Sequence, residues 1–114
     1  MQSDVIERRD SLLRALGLCQ RAGKLITGVP MICEALKAGK RVYTVIAPFD
    51  NAKNSSKRLQ DRCTYYGVPL YTVAFDGEEL AHAVGKHARL AAIAVTDEHL
   101  SRLVTASLLK TKEQ

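Results

Sequence analysis

The sequence predicts an α/β domain built as a three-layer α/β/α sandwich. Two observations carry this. Apolar residues recur at helical spacing in several segments, and short β-branched runs separate those segments. Glycine, proline and helix-capping residues punctuate nearly every junction. Helices that alternate with short strands must cover both faces of a central sheet to bury their apolar sides. Spacing alone leaves the strand order open.

The elements follow in order. Leu12, Leu13, Leu16 and Cys19 fall on one helical face, giving a first helix over residues 10–21 that Gly23 stops. Residues 25–27 form a short extended segment. Gly28 breaks it, and Pro30 suits the first turn of a second helix. Ile32, Ala35 and Leu36 give that helix its inner face, and Gly39 ends it. Residues 42–47 are continuous and β-branched, the pattern of a strand buried on both sides. After a turn at 48–50, Asn51 or Asn54 is expected to cap a third helix carrying Ala52, Ser56, Leu59, Cys63 and Tyr66. Gly67 stops it, and residues 68–73 form a strand with Pro69 near its start. Asp76 caps a short fourth helix through Val84, followed by Gly85. Residues 89–95 are expected as the last strand. Asp97 caps a final helix whose Leu100, Leu103, Val104 and Leu108 recur at helical spacing, and the tail from Lys110 is expected to fray.

At 114 residues the chain reads as one domain, with polar ends at 1–9 and 110–114. Hydrophobic residues make up 46% and charged residues 25%, the balance of a soluble globular protein. No apolar run approaches the roughly 20 residues that span a bilayer, so no membrane association is expected. The polar start lacks the apolar stretch of a signal peptide, which points to a cytoplasmic protein. Cys19, Cys33 and Cys63 are an odd, widely spaced set without CxxC and sit in apolar helical patterns. They read as reduced core thiols rather than a disulfide frame or a metal site.

Charge is asymmetric. Residues 21–62 hold nine basic and three acidic residues, a net of +6, whereas the remainder carries −1. Such an excess suits a polyanionic partner, though a solvated basic face gives the same count. Lys53, Lys57, Arg58 and Arg62 fall on one helix and read as such a solvated face. His82 reads as partly buried, His99 as surface, and His87 as a contact candidate. No activated nucleophile with base and orienter is present in pattern, nor a carboxylate couple, a Walker loop or a dinucleotide fingerprint. An enzyme is therefore not expected, and no cofactor is implied.

The segment from Leu16 to Gly28, Leu-Gly-Leu-Cys-Gln-Arg-Ala-Gly-Lys-Leu-Ile-Thr-Gly, resembles the start of the ribosomal L-seven-Ae/L-thirty-e family. Further pieces agree in order: Ala38-Gly39-Lys40, then Val45-Ile46-Ala47 before a polar helix start, then Cys63-Thr64-Tyr65-Tyr66-Gly67-Val68-Pro69. The last are the run from Glu79 to Lys86 and the run from Ala92 to Asp97. The resemblance spans about residues 12–109 and is nearest to small bacterial ribosomal-protein-like members.

It implies a four-stranded mixed sheet with five helices. It also implies a structured RNA target, the kink-turn, in ribosomal or other RNA, and an association with the ribosome; no DNA is expected. Two loops carry RNA in the family. One joins the first strand to the second helix, here Thr27, Gly28, Val29, Pro30 and Met31. The other joins the fourth helix to the last strand, here Lys86, His87, Ala88, Arg89 and Leu90, after Gly85.

The physical reading of these loops stands beside the resemblance. A helix tip offers unpaired N–H groups and the positive end of its dipole. Gly28 either admits a close RNA backbone or simply supplies a turn. Lys24, Lys37, Lys40 and Arg41 are expected along the neighbouring surface, each able to neutralise a phosphate. Leu90 is expected to pack beneath an unstacked base.

The family motif at the second helix is Gly-x-Asn-Glu-x-x-Lys. Gly28 matches it, but Pro30, Met31 and Glu34 replace Asn, Glu and Lys. An amide and a carboxylate are lost and one charge is reversed. Kink-turn recognition is then expected to be weak or retuned, while electrostatic binding survives. The alternative is a protein-interaction module on the same fold, with Met31 as an apolar contact.

Overall fold

The computed structural model describes the backbone of residues 2–112 and the side chains of residues 9–108. In chain order the elements are α1 (Gln2–Arg21), β1 (Leu25–Thr27), α2 (Val29–Lys37), β2 (Thr44–Pro48), α3 (Lys53–Tyr66), β3 (Leu70–Val73), α4 (Gly77–Ala83), β4 (Ile93–Val95) and α5 (Glu98–Lys112). The four strands form one mixed sheet in the order β1-β4-β2-β3. β4 runs antiparallel to both its neighbours, pairing Thr27 with Ile93 on one side and Ile46 with Ile93 on the other. β2 and β3 are parallel, in register from Val45–Leu70 to Pro48–Val73, and α3 is the crossover between them.

Alternation along the strands divides the core into two halves. Ile46, Ile93 and Val95 face α1, α4 and α5, where Leu12, Leu16, Leu80, Val104 and Leu108 are buried. Val45, Ala47 and Ala94 face α2 and α3, where Ile32, Leu36, Leu59 and Cys63 are buried. The expected three layers are present. All five residues of β2 are buried, as its unbroken apolar run predicts for a strand paired on both sides.

Several boundaries differ from expectation. α1 begins at Gln2 rather than residue 10, because Glu7, Arg8 and Arg9 extend the helix on propensity without apolar periodicity. Neither Asn51 nor Asn54 caps α3. The N-cap is Ala52, which makes no side-chain cap bond, and Asn51 instead donates from Nδ2 to the Ala91 carbonyl at 2.8 Å. Ala52, Ser56 and Tyr66 of the expected inner face are not buried, leaving Leu59 and Cys63 inside.

The second strand runs 44–48 rather than 42–47, and the third starts at Leu70 rather than Val68. Val68 is held back because its N–H closes the end of α3 on the Cys63 carbonyl. The last strand is only 93–95. Residues 90–92 spend their backbone groups on the loops: Leu90 N–H bonds Gly77, Ala91 accepts from Asn51, and Ala92 accepts from Gly28. α5 continues through Lys112; residues 113 and 114, and the side chains of the tail expected to fray, lie outside the described residues.

Other expectations hold. Asp76 and Glu79 form a reciprocal capping box on α4, with bonds of 2.8 and 3.0 Å. Asp97 Oδ2 accepts from Leu100 N–H at 2.9 Å. The three cysteines are buried.

Candidate functional site

Strand direction brings four connections to one end of the sheet. β1, β2 and β3 end there and β4 begins there. The connections are residues 28–31, 48–51, 74–77 and 85–92. Gly28 N–H donates to the Ala92 carbonyl at 2.9 Å, tying the first loop to the last. Phe49 N–H bonds the Phe75 carbonyl at 3.2 Å, and Gly77 N–H bonds Asp50 Oδ1 at 3.0 Å. Arg89 Nη2 reaches Asp50 Oδ1 at 2.7 Å and the Asp50 carbonyl at 2.9 Å. Its side chain lies against Gly77, where an added Cβ would sit 2.5 Å from Arg89 Cγ. These bonds join the loops into one platform.

At the tip of α2, Gly28 has φ 90° and ψ 140°, a conformation that costs a residue with a Cβ dearly. The first helical bond is Ile32 N–H to Gly28 C=O at 3.0 Å. Pro30 has no N–H, and no side chain caps the helix. The N–H groups of Val29 and Met31 therefore have no acceptor within the helix. Val29 packs into the core. Pro30 is exposed, Met31 is 61% exposed, and Thr27 and Gly28 are half-buried. In the other loop Lys86, His87 and Ala88 are exposed, whereas Leu90 is half-buried against the core of α1, α4 and α5.

The lysines expected to ring the tip are split between ends. Lys24 lies at the far end of β1, its carbonyl accepting from Thr96 N–H at 3.0 Å. Three extended residues place it roughly 10 Å from Thr27. Lys40 and Arg41 are also at that far end, because α2 runs back along the sheet and Tyr43 N–H bonds the Val95 carbonyl. Glu34 and Lys37 instead lie on the outer side of α2. There they line a shallow groove of about 230 Å³ with Pro30, Arg58, Arg62 and Tyr66. His82, expected to be partly buried, is exposed: α4 turns Leu80 and Ala81 inward, which sends His82 outward. It lines an open cleft of about 790 Å³ with Arg9, Glu79, Lys86, His87 and Arg89. Arg9 pairs with Glu79 and stacks over Phe75 at 4.1 Å.

Sequence reasoning missed Phe49, Asp50 and Asn51 as parts of this end. Phe49 is 62% exposed there. Their signal was an aromatic, an acid and an amide directly after a buried strand, which reads equally well as a turn and a cap. The thiols take no part. Burial pushes Cys63 up to about 11, with neighbouring Cys33 adding to it, and burial also raises Cys19. Such thiols are poor nucleophiles. Among the described residues, no three His, Cys, Asp or Glu side chains gather as metal ligands, and no helix is long and apolar enough to cross a membrane.

This geometry has known counterparts. Two curated relatives bear the name RNA-binding protein YlxQ. The protein of Bacillus subtilis (strain 168) is 34% identical over 83 residues, which cover 73% of this chain and 80% of the relative. That of Enterococcus faecium is 32% identical over 78 residues, covering 68% and 74%. A solved protein of unknown function from Bacillus halodurans C superposes with a TM-score of 0.77 at 35% identity, covering 85% of this chain and 95% of that one. The Giardia lamblia 15.5kD RNA binding protein shares the fold, with a TM-score of 0.71 at 18% identity and coverage of 94% and 89%. The model of the Ribosomal protein L7Ae/L30e/S12e/Gadd45 family matches residues 10–105. The chain, matched by that model over most of its length and alike in sequence to these relatives, belongs to that family.

Proposed function

We propose that this protein binds structured RNA of the kink-turn kind, in ribosomal or another cytoplasmic RNA, through the β1–α2 and α4–β4 loops. The carrying observation is the bond from Gly28 N–H to Ala92 C=O, which sets the uncapped tip of α2 beside the loop that holds the exposed run from Lys86 to Ala88. Val29 and Met31 N–H can then donate to a phosphate oxygen without any side chain. Lys86 and His87 approach the same strand from the second loop, and Met31 or Phe49 offers an apolar surface to an unstacked base. Arg89, held by Asp50, positions the loop. The names of the relatives support the reading, as does the net charge of +5.

The replaced motif residues shape the expectation. Glu34 lies on the exposed side of α2, one turn after the tip, where a cation would favour RNA. Glu34→Lys should tighten binding of a kink-turn RNA about two- to fivefold at low salt, the worth of one exposed charge contact. Lys37→Ala should weaken it and flatten the dependence on salt. Lys24→Ala should leave both unchanged, because Lys24 sits at the opposite end. Binding should fall steeply between roughly 50 and 200 mM salt. Gel-shift titrations against that RNA, and against a copy with its G·A pairs replaced by Watson–Crick pairs, test the reading. Equal affinity for both would refute kink-turn recognition.

One observation favours a second reading. Met31 and Phe49 are large, apolar and exposed at the same end of the sheet, as in a protein-interaction surface. Such an interface would hardly respond to salt.

A further inference from the structure

Lys53, Lys57, Arg58 and Arg62 place four cations on one 14-residue helix against a single acid, Asp61. Lys57 is engaged by Asp61 at 3.2 Å. Arg58, Arg62 and, across the groove, Lys37 make no ion pair among the described residues. Helical periodicity does not demand this. Nor does helix stability, because α3 carries Lys53 in a first turn with no acid and no side-chain cap, against its own dipole.

Two hollows meet on the outer face of α3. One of about 470 Å³ runs along α3 from Asn54 to Tyr65. The other, described above, lies between α2 and α3, and Arg58 and Arg62 line both. Together they form a trough astride these two arginines, lined also by Asp61 and Glu34, whose α2 side begins at Pro30, in the first turn of the uncapped helix. Its length along α3, from Asn54 to Tyr65, is roughly 16 Å at the helical rise. At its far end Tyr65 is 80% exposed, braced edge-on by Tyr66 with ring centroids 4.9 Å apart. A basic trough ending in an exposed ring matches what single-stranded RNA requires: cations to follow the phosphates and an aromatic face to stack a base.

We infer that the α2–α3 trough is a second RNA-binding surface, taking a single-stranded segment with its phosphates on Arg58, Arg62 and Lys37 and one base on Tyr65. The inference extends the proposed RNA-binding function and shares Lys37 with it, but stands on Arg58, Arg62 and Tyr65, which that function does not use. On the shared molecule, a strand leaving the α2 tip would enter the trough at Pro30.

The test uses the full chain and two labelled probes: a blunt-ended kink-turn RNA and a 12-nucleotide oligouridylate. Arg58→Gln with Arg62→Gln should weaken oligouridylate binding at least tenfold. It should also flatten the slope of log affinity against log salt by about 1.4, the share of two neutralised phosphates on a single strand. Tyr65→Ala should weaken it roughly fivefold or more with the slope unchanged. Neither should alter affinity for the blunt RNA by more than about twofold, the latter serving with circular dichroism to show that the variants fold. If the parent does not bind oligouridylate, or binds it no better than the double variant, the trough proposal is overturned. If the parent binds oligouridylate but not the kink-turn RNA, the loop reading fails and the trough stands.

Discussion

Arg89→Ala is the perturbation that most directly tests how the site is built. Its guanidinium makes two short bonds to Asp50, at 2.7 and 2.9 Å, and its stem covers Gly77. The side chains of the pair are 40% and 37% exposed. That sets the magnitude between two limits. Fully exposed ion pairs are worth about 0.2–1 kcal/mol, and hydrogen bonds to charged groups out of water about 1.5–3 kcal/mol. A coupling of about 1 kcal/mol follows from these limits. The stem's packing adds to it, so Arg89→Ala should cost about 1.5–2 kcal/mol. At about 4 °C per kcal/mol for a domain of this size, Tm should fall by about 6–8 °C. A double-mutant cycle with Asp50→Ala measures the coupling by thermal and urea denaturation. Arg89→Lys should restore less than half, since lysine lacks the planar guanidinium that lies against Gly77 and also reaches Asn51 Oδ1. A coupling below about 0.3 kcal/mol, or full rescue by lysine, would refute the anchoring role. RNA supplies the second readout. If Arg89 positions the loop, affinity falls with the salt slope intact; a direct phosphate contact would flatten the slope.

Two further perturbations probe the backbone and the core. Gly28→Asn should cost about 1–2 kcal/mol and disturb the α2 tip, because φ 90° with ψ 140° is closed to side chains although no atom lies within 4 Å of the added Cβ. Gly67→Asn should cost distinctly less, since φ 69° with ψ 32° is the left-handed region asparagine accepts; equal losses on urea denaturation would contradict the argument. For Cys63, the pKa is raised from 9.0 to about 11, so the folded state resists losing the proton. Its contribution should be full below about pH 9 and fall by about 2–3 kcal/mol as pH rises to 11. Cys63→Ala should abolish that part of the decline, and a parallel fall in parent and variant would disprove it.

The fold is legible wherever one pattern suffices. The buried run that forms β2, the capping residues Asp76 and Asp97, and the glycine stops are local signals, and each element they define is present. Boundaries are lost where tertiary bonds compete with local preference. Residues 90–92 look like strand, yet Asn51, Gly28 and Gly77 take their hydrogen-bonding groups. The same Asn51 reads as a cap because a local cap and a distant carbonyl are equally open to its amide. For the site, the two loops come from the family resemblance, with Gly28 and the basic run at 86–89 as the local features that suit it, and the structure sets the loops side by side. The placement of the lysines is not. Charge along a sequence says nothing of which end of a strand it falls on, and the three residues from Lys24 to Thr27 carry the chain across the sheet.

That separation sharpens the functional argument. The three motif departures, Pro30, Met31 and Glu34, all fall on α2, while the bonds that join the loops run through Gly28, Asp50, Asn51, Gly77, Arg89 and Ala92. None of the departed positions supports the platform, so their replacement leaves its bonds in place. On the proposed function, recognition then shifts from an amide and a carboxylate on α2 to backbone N–H groups at its tip. Backbone donors distinguish the path of a phosphate strand rather than the identity of a base. A chain with this site would select RNA by its bend, with affinity supplied by the cations of the second loop and Lys37. Restoring Asn at position 30 and Glu at position 31 should therefore raise the preference for paired G·A over Watson–Crick stems more than it raises affinity itself. Gel-shift titration of the restored and parent chains against both stems checks this, and an equal gain on the two would contradict it.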